Sequence, residues 1–386
     1  NFVRVVRADP KVSGLLYAGT ETGFYISFND GLLWEPFQNN LPVVPINDLY
    51  IQDNDLIAAT AGRSFWILDD LSPLQQQPKK EELHIATPKA TYRLSSGKTP
   101  ENSAQGTNPR SGVYLDYYLP EVHDSIKVEL SILQEGKVIR TYSSQKNTDF
   151  KSWPGGPSKD QILPNKKGYN RVHWDFRRAQ LPSVDHVFVY GNYAGGRVAP
   201  GLYSAQLSYG AKSSMVEIQI LPNPNLDYSS ADFDEQQNLL VQIEDAIKGI
   251  HHAVSQMRRV QDQLKHYTTL LESNEALVSL YNQGVSIEKQ LREWEIELIQ
   301  PNQKTFQDVI NFNNKLNAEL MYLKDYVDAE DPKVTSGAKE RFLDLNTTWK
   351  QHEARLNALI ENEFKSFESN YRNLNAPLLK FDLDKN

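Results

Sequence analysis

Residues 27–34 read SFNDGLLW, and this stretch is the most specific signal in the chain. In a turn between two strands, the side chains of Asn29 and Asp30 can accept hydrogen bonds from the backbone N–H groups that follow them, and Gly31 can adopt a positive φ. Trp34 can then fold back over the turn as an apolar plug. The pattern therefore predicts a hairpin held together by Ser27, Asn29, Asp30, Gly31 and Trp34, and it assigns them no chemistry.

Short β-type runs surround this turn and are separated by Gly, Asn, Asp and Pro. They are LLYAGT, GFYISF, INDLYIQ, DLIAATAG and SFWILDD. A run about every eight to twelve residues is typical of consecutive antiparallel strands. Residues 1–75 are thus predicted to form an antiparallel meander.

The octapeptide also fits the Asp-box pattern S-x-D/N-x-G-x-x-W, and the segment around it resembles the closing blades of bacterial BNR, or Asp-box, repeat proteins. These are related to the sortilin-type β-propeller and to xyloglucanase-type glycosidases. Further matching positions are Gly19, Thr20, Gly23, Leu41, Pro42, Ala59, Thr60, Gly62, Arg63, Trp66 and Asp69. The resemblance implies that residues 1–75 are the closing part of a propeller, roughly one to one and a half blades. Because a propeller needs at least about four blades and the chain begins without Met, we expect a C-terminal portion of a longer polypeptide.

Residues 76–111 are polar and are predicted to be a linker followed by a long loop, SSGKTPENSAQGTNPRSG. Strand signals return over 112–222 in VYLDYYL, SIKVELSIL, KVIRTYS, YNRVHWDF, HVFVYG, LYSAQLSYG and MVEIQIL. About seven short alternating strands are what an immunoglobulin-type β-sandwich needs. The elements GTNPRSGVYLDYYLP, YNRVHWDFR and PGLYSAQLSYG are also similar to the Ig-like domain that follows the propeller in the same proteins. Within this region, Trp174 is expected in the core, Arg177 and Arg178 on an exposed rim, and residues 149–167 in an exposed loop.

Residues 223–386 change to a helical period. Apolar side chains at steps of three and four predict one long helix over about 232–271, with Ser230 and Asp232 as N-cap candidates. A second helix ends before Pro301, a third covers about 305–327, and a fourth carries Phe342, Trp349 and Phe367 on one face. We expect an up-and-down antiparallel helical bundle. The overall fold class is multidomain β plus α.

Composition excludes several functions. The sequence has 386 residues, no Cys, and 41 basic against 49 acidic side chains, a formal net charge of −8. Disulfides, thiolate metal sites and cysteine nucleophiles are impossible without Cys, and the acidic balance does not favour nucleic acid. No apolar run is long enough for a transmembrane helix. The run Asp53–Asp55 lacks the Gly and Glu of a calcium loop, the histidines are expected in solvent, and no cofactor is predicted.

Candidate site residues are few. The local acids Glu35, Asp55, Asp69 and Asp70 show no spacing typical of the carboxylate pair of a glycosidase, and no catalytic residue is predicted. Arg63 and Asp69 either form strand-end contacts or contribute to a ligand or partner surface. Tyr190 and Tyr193, in the loop HVFVYGNYAGG, either stack on a carbohydrate or partner or pack at a strand edge.

The sequence is consistent with three alternative functions. The first is a non-catalytic binding or scaffold module that engages an N-terminal propeller portion and other envelope proteins. The alternative is part of a glycoside hydrolase-like, carbohydrate-active enzyme whose catalytic residues lie in other blades. A third is peptide binding in a propeller channel, as the sortilin resemblance implies. The same resemblance implies a location outside the cytoplasm, in the bacterial periplasm, at the outer membrane surface or secreted.

Overall fold

The computed structural model describes residues 2–77, 81–95, 109–272 and 274–374. Most of the predicted loop SSGKTPENSAQGTNPRSG lies outside these residues. The chain divides into two compact units, each made of several segments. The first comprises Asn1–Lys146, Ile162–Asp175 and Pro200–Asn223, and the second comprises Asn147–Gln161, Phe176–Ala199 and Pro224–Asn386. The domain limits predicted from the sequence remain predictions.

The first unit opens with two antiparallel sheets. Their strands are β1 Val3–Ala8, β2 Leu16–Thr20, β3 Gly23–Ser27, β4 Glu35–Pro36, β5 Ile46–Gln52, β6 Asp55–Thr60 and β7 Phe65–Leu68. The strands pair in chain order, β1 to β4 in one sheet and β5 to β7 in the other. A shared core that includes Tyr17, Phe24, Ile46 and Leu49 lies between the sheets. The meander is therefore confirmed as two successive meanders, followed by the short helix α1 Ser72–Gln75.

No closed barrel and no ring of sheets is present within the described residues. Both opening sheets are open, with strand edges at either side. Their identity as propeller blades therefore stays a prediction.

The rest of the first unit forms two further sheets. Their strands are β8 His84–Ile85, β9 Thr91–Tyr92, β10 Val113–Leu119, β11 Val128–Gln134, β12 Lys137–Ser143, β13 Gly168–Trp174, β14 Gly201–Tyr209 and β15 Lys212–Leu221. The orders are β13-β10-β8 and β12-β11-β14-β15-β9. Trp174 on β13 is fully buried and packs against Tyr203 on β14, with ring centroids 5.7 Å apart. The two sheets thus meet through their apolar faces, as alternation predicted.

Two expectations for this region were wrong. The segment HVFVYG is not a strand. It belongs to the second unit, where Val187 and Val189 are buried in a core made mostly of helical residues. The predicted linker is not entirely a connection either. It contributes β8, which pairs with β10, and β9, which pairs in parallel with β15.

The second unit is helical. Its helices are α2 Ser230–Leu271, α3 Val278–Leu298, α4 Leu316–Val327, α5 Ser336–Leu359 and α6 Lys365–Arg372, with a π-helical turn at Ile360–Phe364. Ser229, one residue before the predicted cap, is the N-cap of α2 and forms a capping box with Asp232. This arrangement satisfies backbone N–H groups that the first helical turn leaves free.

Contacts give the helix directions. Arg258 on α2 pairs with Glu295 on α3, and Gln236 on α2 donates to the backbone carbonyl of Val327 on α4. Both α3 and α4 therefore run back along α2, α3 beside its C-terminal half and α4 beside its N-terminal half. Helix α5 runs parallel to α2, since Lys339 pairs with Glu235. The C-terminal region is therefore helical, as predicted, with α3 and α4 running opposite to α2 and α5 and separated by residues 299–315.

Candidate functional site

The turn at residues 27–34 is organised by two side chains. Ser27 is 1% exposed, and its Oγ accepts a hydrogen bond from the backbone N–H of Gly31 at 2.9 Å. Asn29 Oδ1 accepts from the N–H of Leu33 at 2.8 Å. Asp30 and Gly31 have φ values of 58° and 83°. Where the chain reverses, these side-chain oxygens thus accept the backbone N–H groups that have no strand partner, as expected for a turn of this type.

Two details differ from the expectation for this turn. The carboxylate of Asp30 is exposed, and the contribution of this residue is its left-handed backbone and an N–H donated to Gly14 O at 2.9 Å. Trp34 folds back toward Gly31 but is only half-buried, so it covers the turn without entering the core between the sheets. Sequence pattern alone cannot distinguish a cover from a core plug.

Arg63 and Asp69 are not brought together. Both are exposed, and they flank β7 at opposite ends. The backbone carbonyl of Arg63 accepts a hydrogen bond from Trp66 Nε1 at 3.0 Å. Partial burial, and then the charge of Asp55, raise the pKa of Asp69, while Lys89 and Arg171 act in the opposite direction.

Asp69 belongs instead to a group of charges within the first unit. Lys89 Nζ lies 3.1 Å from Asp55 Oδ1, and Arg171 pairs with Asp116 at 2.7 Å. Asp116 first, and more weakly the charge of Asp70, raise the pKa of Arg171. The group contains two cationic side chains, Lys89 and Arg171, among several carboxylates. Such mixed charges are common on protein surfaces.

An apolar patch lies on the outer side of the second sheet. Tyr50, Ile57 and Ile67 are aligned across β5, β6 and β7, and in the next row Ala59 stands between Asp48 and Phe65. Tyr50 is 60%, Phe65 73% and Ile67 58% exposed. We call the five apolar residues of these rows the outer face. A run of large apolar groups across every strand of a sheet usually marks a contact surface.

Tyr190 and Tyr193 have different environments, so the two do not form one stacking surface. Tyr190 is 49% exposed and meets the ring of Phe306 edge-on, with centroids 4.6 Å apart. Tyr193 is 3% exposed in the core of the second unit, next to His251. The prediction that Tyr193 presents a face to a ligand was therefore wrong. Two exposed tyrosines on α4, Tyr322 and Tyr326, were not singled out from the sequence.

Arg177 and Arg178 are not an exposed rim. Arg178 Nε lies 3.0 Å from Glu244 of α2, and Arg177 Nη1 lies 2.6 Å from Asp328, which follows α4. Arg197 also reaches Asp328, at 3.4 Å. Arginine fits such sites because its planar fork can satisfy a carboxylate with several donors. These pairs attach residues 176–199 to the helices of the second unit.

Lys324 and His251 are buried polar groups in the same unit. Lys324 Nζ donates to the backbone carbonyls of Asn192 and Ala194, the latter at 2.7 Å. His251 is 1% exposed, with Nδ1 2.7 Å from Pro182 O and Nε2 3.2 Å from Asn317. Burial lowers the pKa of His251 to about 4. The expectation of a solvated histidine was wrong at this position.

In the described residues, no group of three or more acidic or histidine side chains is arranged to hold a metal ion. Among the same residues, every helix is too short or too polar to cross a bilayer.

No protein-family model matches the chain. No curated protein matches it either. Among solved structures, one match is the extracellular domain of a protein described as a hybrid two component system from B. thetaiotaomicron, with 12% identity and a TM-score of 0.15. The alignment covers 58% of this chain and 26% of that one, so the chain spans about a quarter of the matched length. This likeness assigns neither a fold nor a function.

Proposed function

We propose that the chain is a non-catalytic protein-binding and scaffold module in which the two opening sheets are blades of a larger β-propeller, followed by an Ig-like sandwich and a helical bundle. The outer face is the observation that carries the proposal. Its three most exposed side chains, Tyr50, Phe65 and Ile67, lie on one side of one sheet. Burying each of them is worth about 1.5–3 kcal/mol, so a second apolar surface packed there would be strongly favoured.

The first two sheets supply the pattern for such packing. In the pair that is present, Ile46 and Leu49 of the second sheet pack with Tyr17 and Phe24 of the first. The outer face presents the same class of side chain on the opposite side of the second sheet. A further sheet stacked on it would continue the series, which is the arrangement of propeller blades.

We infer that the occupant of the outer face is an N-terminal propeller portion, from the same parent polypeptide or a companion chain. Exposed aromatic side chains in the second unit offer surface for further envelope proteins. These are Tyr190, Phe306, Tyr322 and Tyr326. The proposal places the protein outside the cytoplasm, on the strength of the Asp-box resemblance.

The proposal is tested by footprinting. Hydroxyl radicals should label Tyr50 and Phe65 rapidly in this chain alone and slowly in the protein purified from its native source without denaturation. Met215, 56% exposed on β15, is the internal reference and should react equally in both samples. Equal labelling of Tyr50 and Phe65 in the two samples would contradict the proposal, because nothing would then cover the outer face.

A further inference from the structure

The two opening sheets differ by one strand. The first has four strands, and its last, β4, pairs with β3 through Glu35 and Pro36. The pairing continues one residue further, where Phe37 N donates to Phe24 O at 2.9 Å. The second sheet has three strands and ends at β7. Within the described residues, no strand occupies the position beside β7 that β4 occupies beside β3.

The backbone of β7 is oriented to accept such a strand. Thr60 N donates to Ser64 O at 3.2 Å, which places this pair in the hydrogen-bonded phase of the β6–β7 ladder. Because the phase alternates along an antiparallel ladder, Trp66 and Leu68 direct their backbone groups toward β6. Phe65 and Ile67 therefore direct their N–H and C=O groups away from β6, toward the open edge. An unpaired row of this kind is a template for strand addition.

An apolar groove runs along the same edge. It is lined by Phe37 and Leu41, which follow β4, and by Trp66 and Leu68 of β7. A strand added beside β7 would place alternate side chains into this groove and the remaining ones on the side of the outer face. Gln38 also lines the groove, and its amide NH2 already donates to the carbonyls of Leu41 and Pro42.

We propose that the open edge of β7 binds an extended segment of a partner protein by strand addition, antiparallel to β7 and with small or apolar residues at the alternate positions that enter the groove. An extended segment is the occupant that satisfies backbone donors and acceptors and a narrow apolar groove together. This inference deepens the proposed function, because it names the form in which a partner meets the second sheet.

The probe is a synthetic peptide with the sequence of residues 54–61, NDLIAATA, which already contains the strand that pairs with β7 from the other side. Two control peptides carry backbone N-methyl groups, one at the Ile57 and Ala59 positions and the other at the Leu56 and Ala58 positions. In one of these peptides the methyl groups replace the N–H groups that point toward β7 and so remove hydrogen bonds to it. In the other peptide the methyl groups point away from β7. We expect one methylated peptide to bind like the parent and the other at least about tenfold more weakly.

Isotope-labelled protein identifies the edge. The amide signals of Phe65 and Ile67 should shift on titration with the parent peptide, and those of β12, at the edge of a different sheet, should not. Ile67→Pro removes an outward N–H without removing a bond to β6, so the variant should stay folded and lose peptide binding. If Ile67→Pro unfolds, Ile67→Lys provides the second test, because a charge at a sheet edge opposes strand addition.

The outcomes separate this inference from the proposed function. Equal binding of both methylated peptides, binding unaffected by Ile67→Lys, or no binding of the parent peptide would overturn strand addition. The footprint of Tyr50 and Phe65 tests the outer face independently of the peptide. As a matched control, Val138→Ser changes an exposed apolar side chain on β12, at the edge of a different sheet, and should leave the peptide affinity within about twofold.

Discussion

Arg178 and Glu244 form an ion pair that is almost withdrawn from solvent: Nε and Oε2 are 3.0 Å apart, and the side chains are 13% and 2% exposed. Glu244 also accepts a hydrogen bond from the backbone N–H of Gly196. Arg178 donates in addition to Gln237, at 2.6 Å. One carboxylate on α2 therefore fixes two points of the segment 176–199.

Removing Glu244 should leave both Arg178 and the N–H of Gly196 without their buried acceptor. We expect Glu244→Ala to lower the free energy of unfolding by about 3–5 kcal/mol. The measurement is urea denaturation followed by circular dichroism of the helical signal. The matched control on the same helix is Glu235→Ala, whose pair with Lys339 is about half exposed and should be worth about 1 kcal/mol or less. Equal losses in the two variants would contradict the prediction, because the buried pair would then contribute no more than the half-exposed one.

His251 should make the second unit sensitive to acid. Its pKa is about 4 in the folded chain because burial disfavours the imidazolium, against about 6.5 when unfolded. As the pH falls, the unfolded state therefore binds a proton at His251 before the folded state does. The contribution of neutral His251 to the free energy of unfolding is fully present above pH 6.5 and is lost as the pH falls toward 4. The full effect is about 3 kcal/mol.

The test compares pH profiles of the unfolding free energy. His251→Phe should be less stable at neutral pH, because Pro182 O and Asn317 lose their partner, but its stability should fall less between pH 6.5 and 4. The control His266→Gln alters an exposed histidine on the same helix and should retain the profile of the unaltered chain. Parallel profiles for His251→Phe and the unaltered chain would assign the acid sensitivity to other groups.

The regular elements were largely predictable because burial on one side repeats along the chain. In β10 the alternation of Val113, Leu115, Tyr117 and Leu119 is visible in the sequence and is the buried pattern in the structure. The segment HVFVYG is also rich in β-branched and aromatic residues, yet its consecutive Val187, Phe188 and Val189 are all buried without forming a strand, and its valines pack against helices. Periodicity reports that side chains are buried, and it does not report what buries them.

The ion pairs of Arg177 and Arg178 could not be predicted for a related reason. Arg177 and Arg178 lie after a strand, where charged residues are usually exposed. Their partners Asp328 and Glu244 are 151 and 66 residues away, so the sequence gives no local sign of the pairing. The outer face could not be predicted either, because β7 is apolar at every position and its sequence does not show which side is buried.

Gly19 should limit how closely the first two sheets can pack. A Cβ at this position would lie 2.7 Å from Ile46 Cβ, on β5, and 2.8 Å from Val5 Cγ1. Gly19→Ala would therefore push the sheets apart or shift Ile46, at an expected cost of about 1–3 kcal/mol. The measurement is the denaturation midpoint of the first unit, followed by the fluorescence of its tryptophans.

Gly337→Ala is the control for adding a methyl group, since nothing lies within 4 Å of its Cβ position on α5. It should be neutral or stabilising by up to about 1 kcal/mol. If Gly19→Ala behaves like Gly337→Ala, the close approach of the two sheets at Gly19 has no energetic importance.

Ser27 should be the most important side chain of the SFNDGLLW turn. Its Oγ is the acceptor for Gly31 N at 2.9 Å and lies 3.1 Å from Asn29 Oδ1, and the residue is 1% exposed. Ser27→Ala leaves the N–H of the half-buried Gly31 without its acceptor, so we expect a loss of about 1 kcal/mol in the free energy of unfolding. Leu32→Ser, at the 87% exposed tip of the turn, should change it by less than about 0.5 kcal/mol. Hydrogen exchange at Gly31 is the direct readout: its amide should exchange faster in Ser27→Ala than in Leu32→Ser. Similar exchange in the two variants would mean that the backbone holds the turn without the hydroxyl.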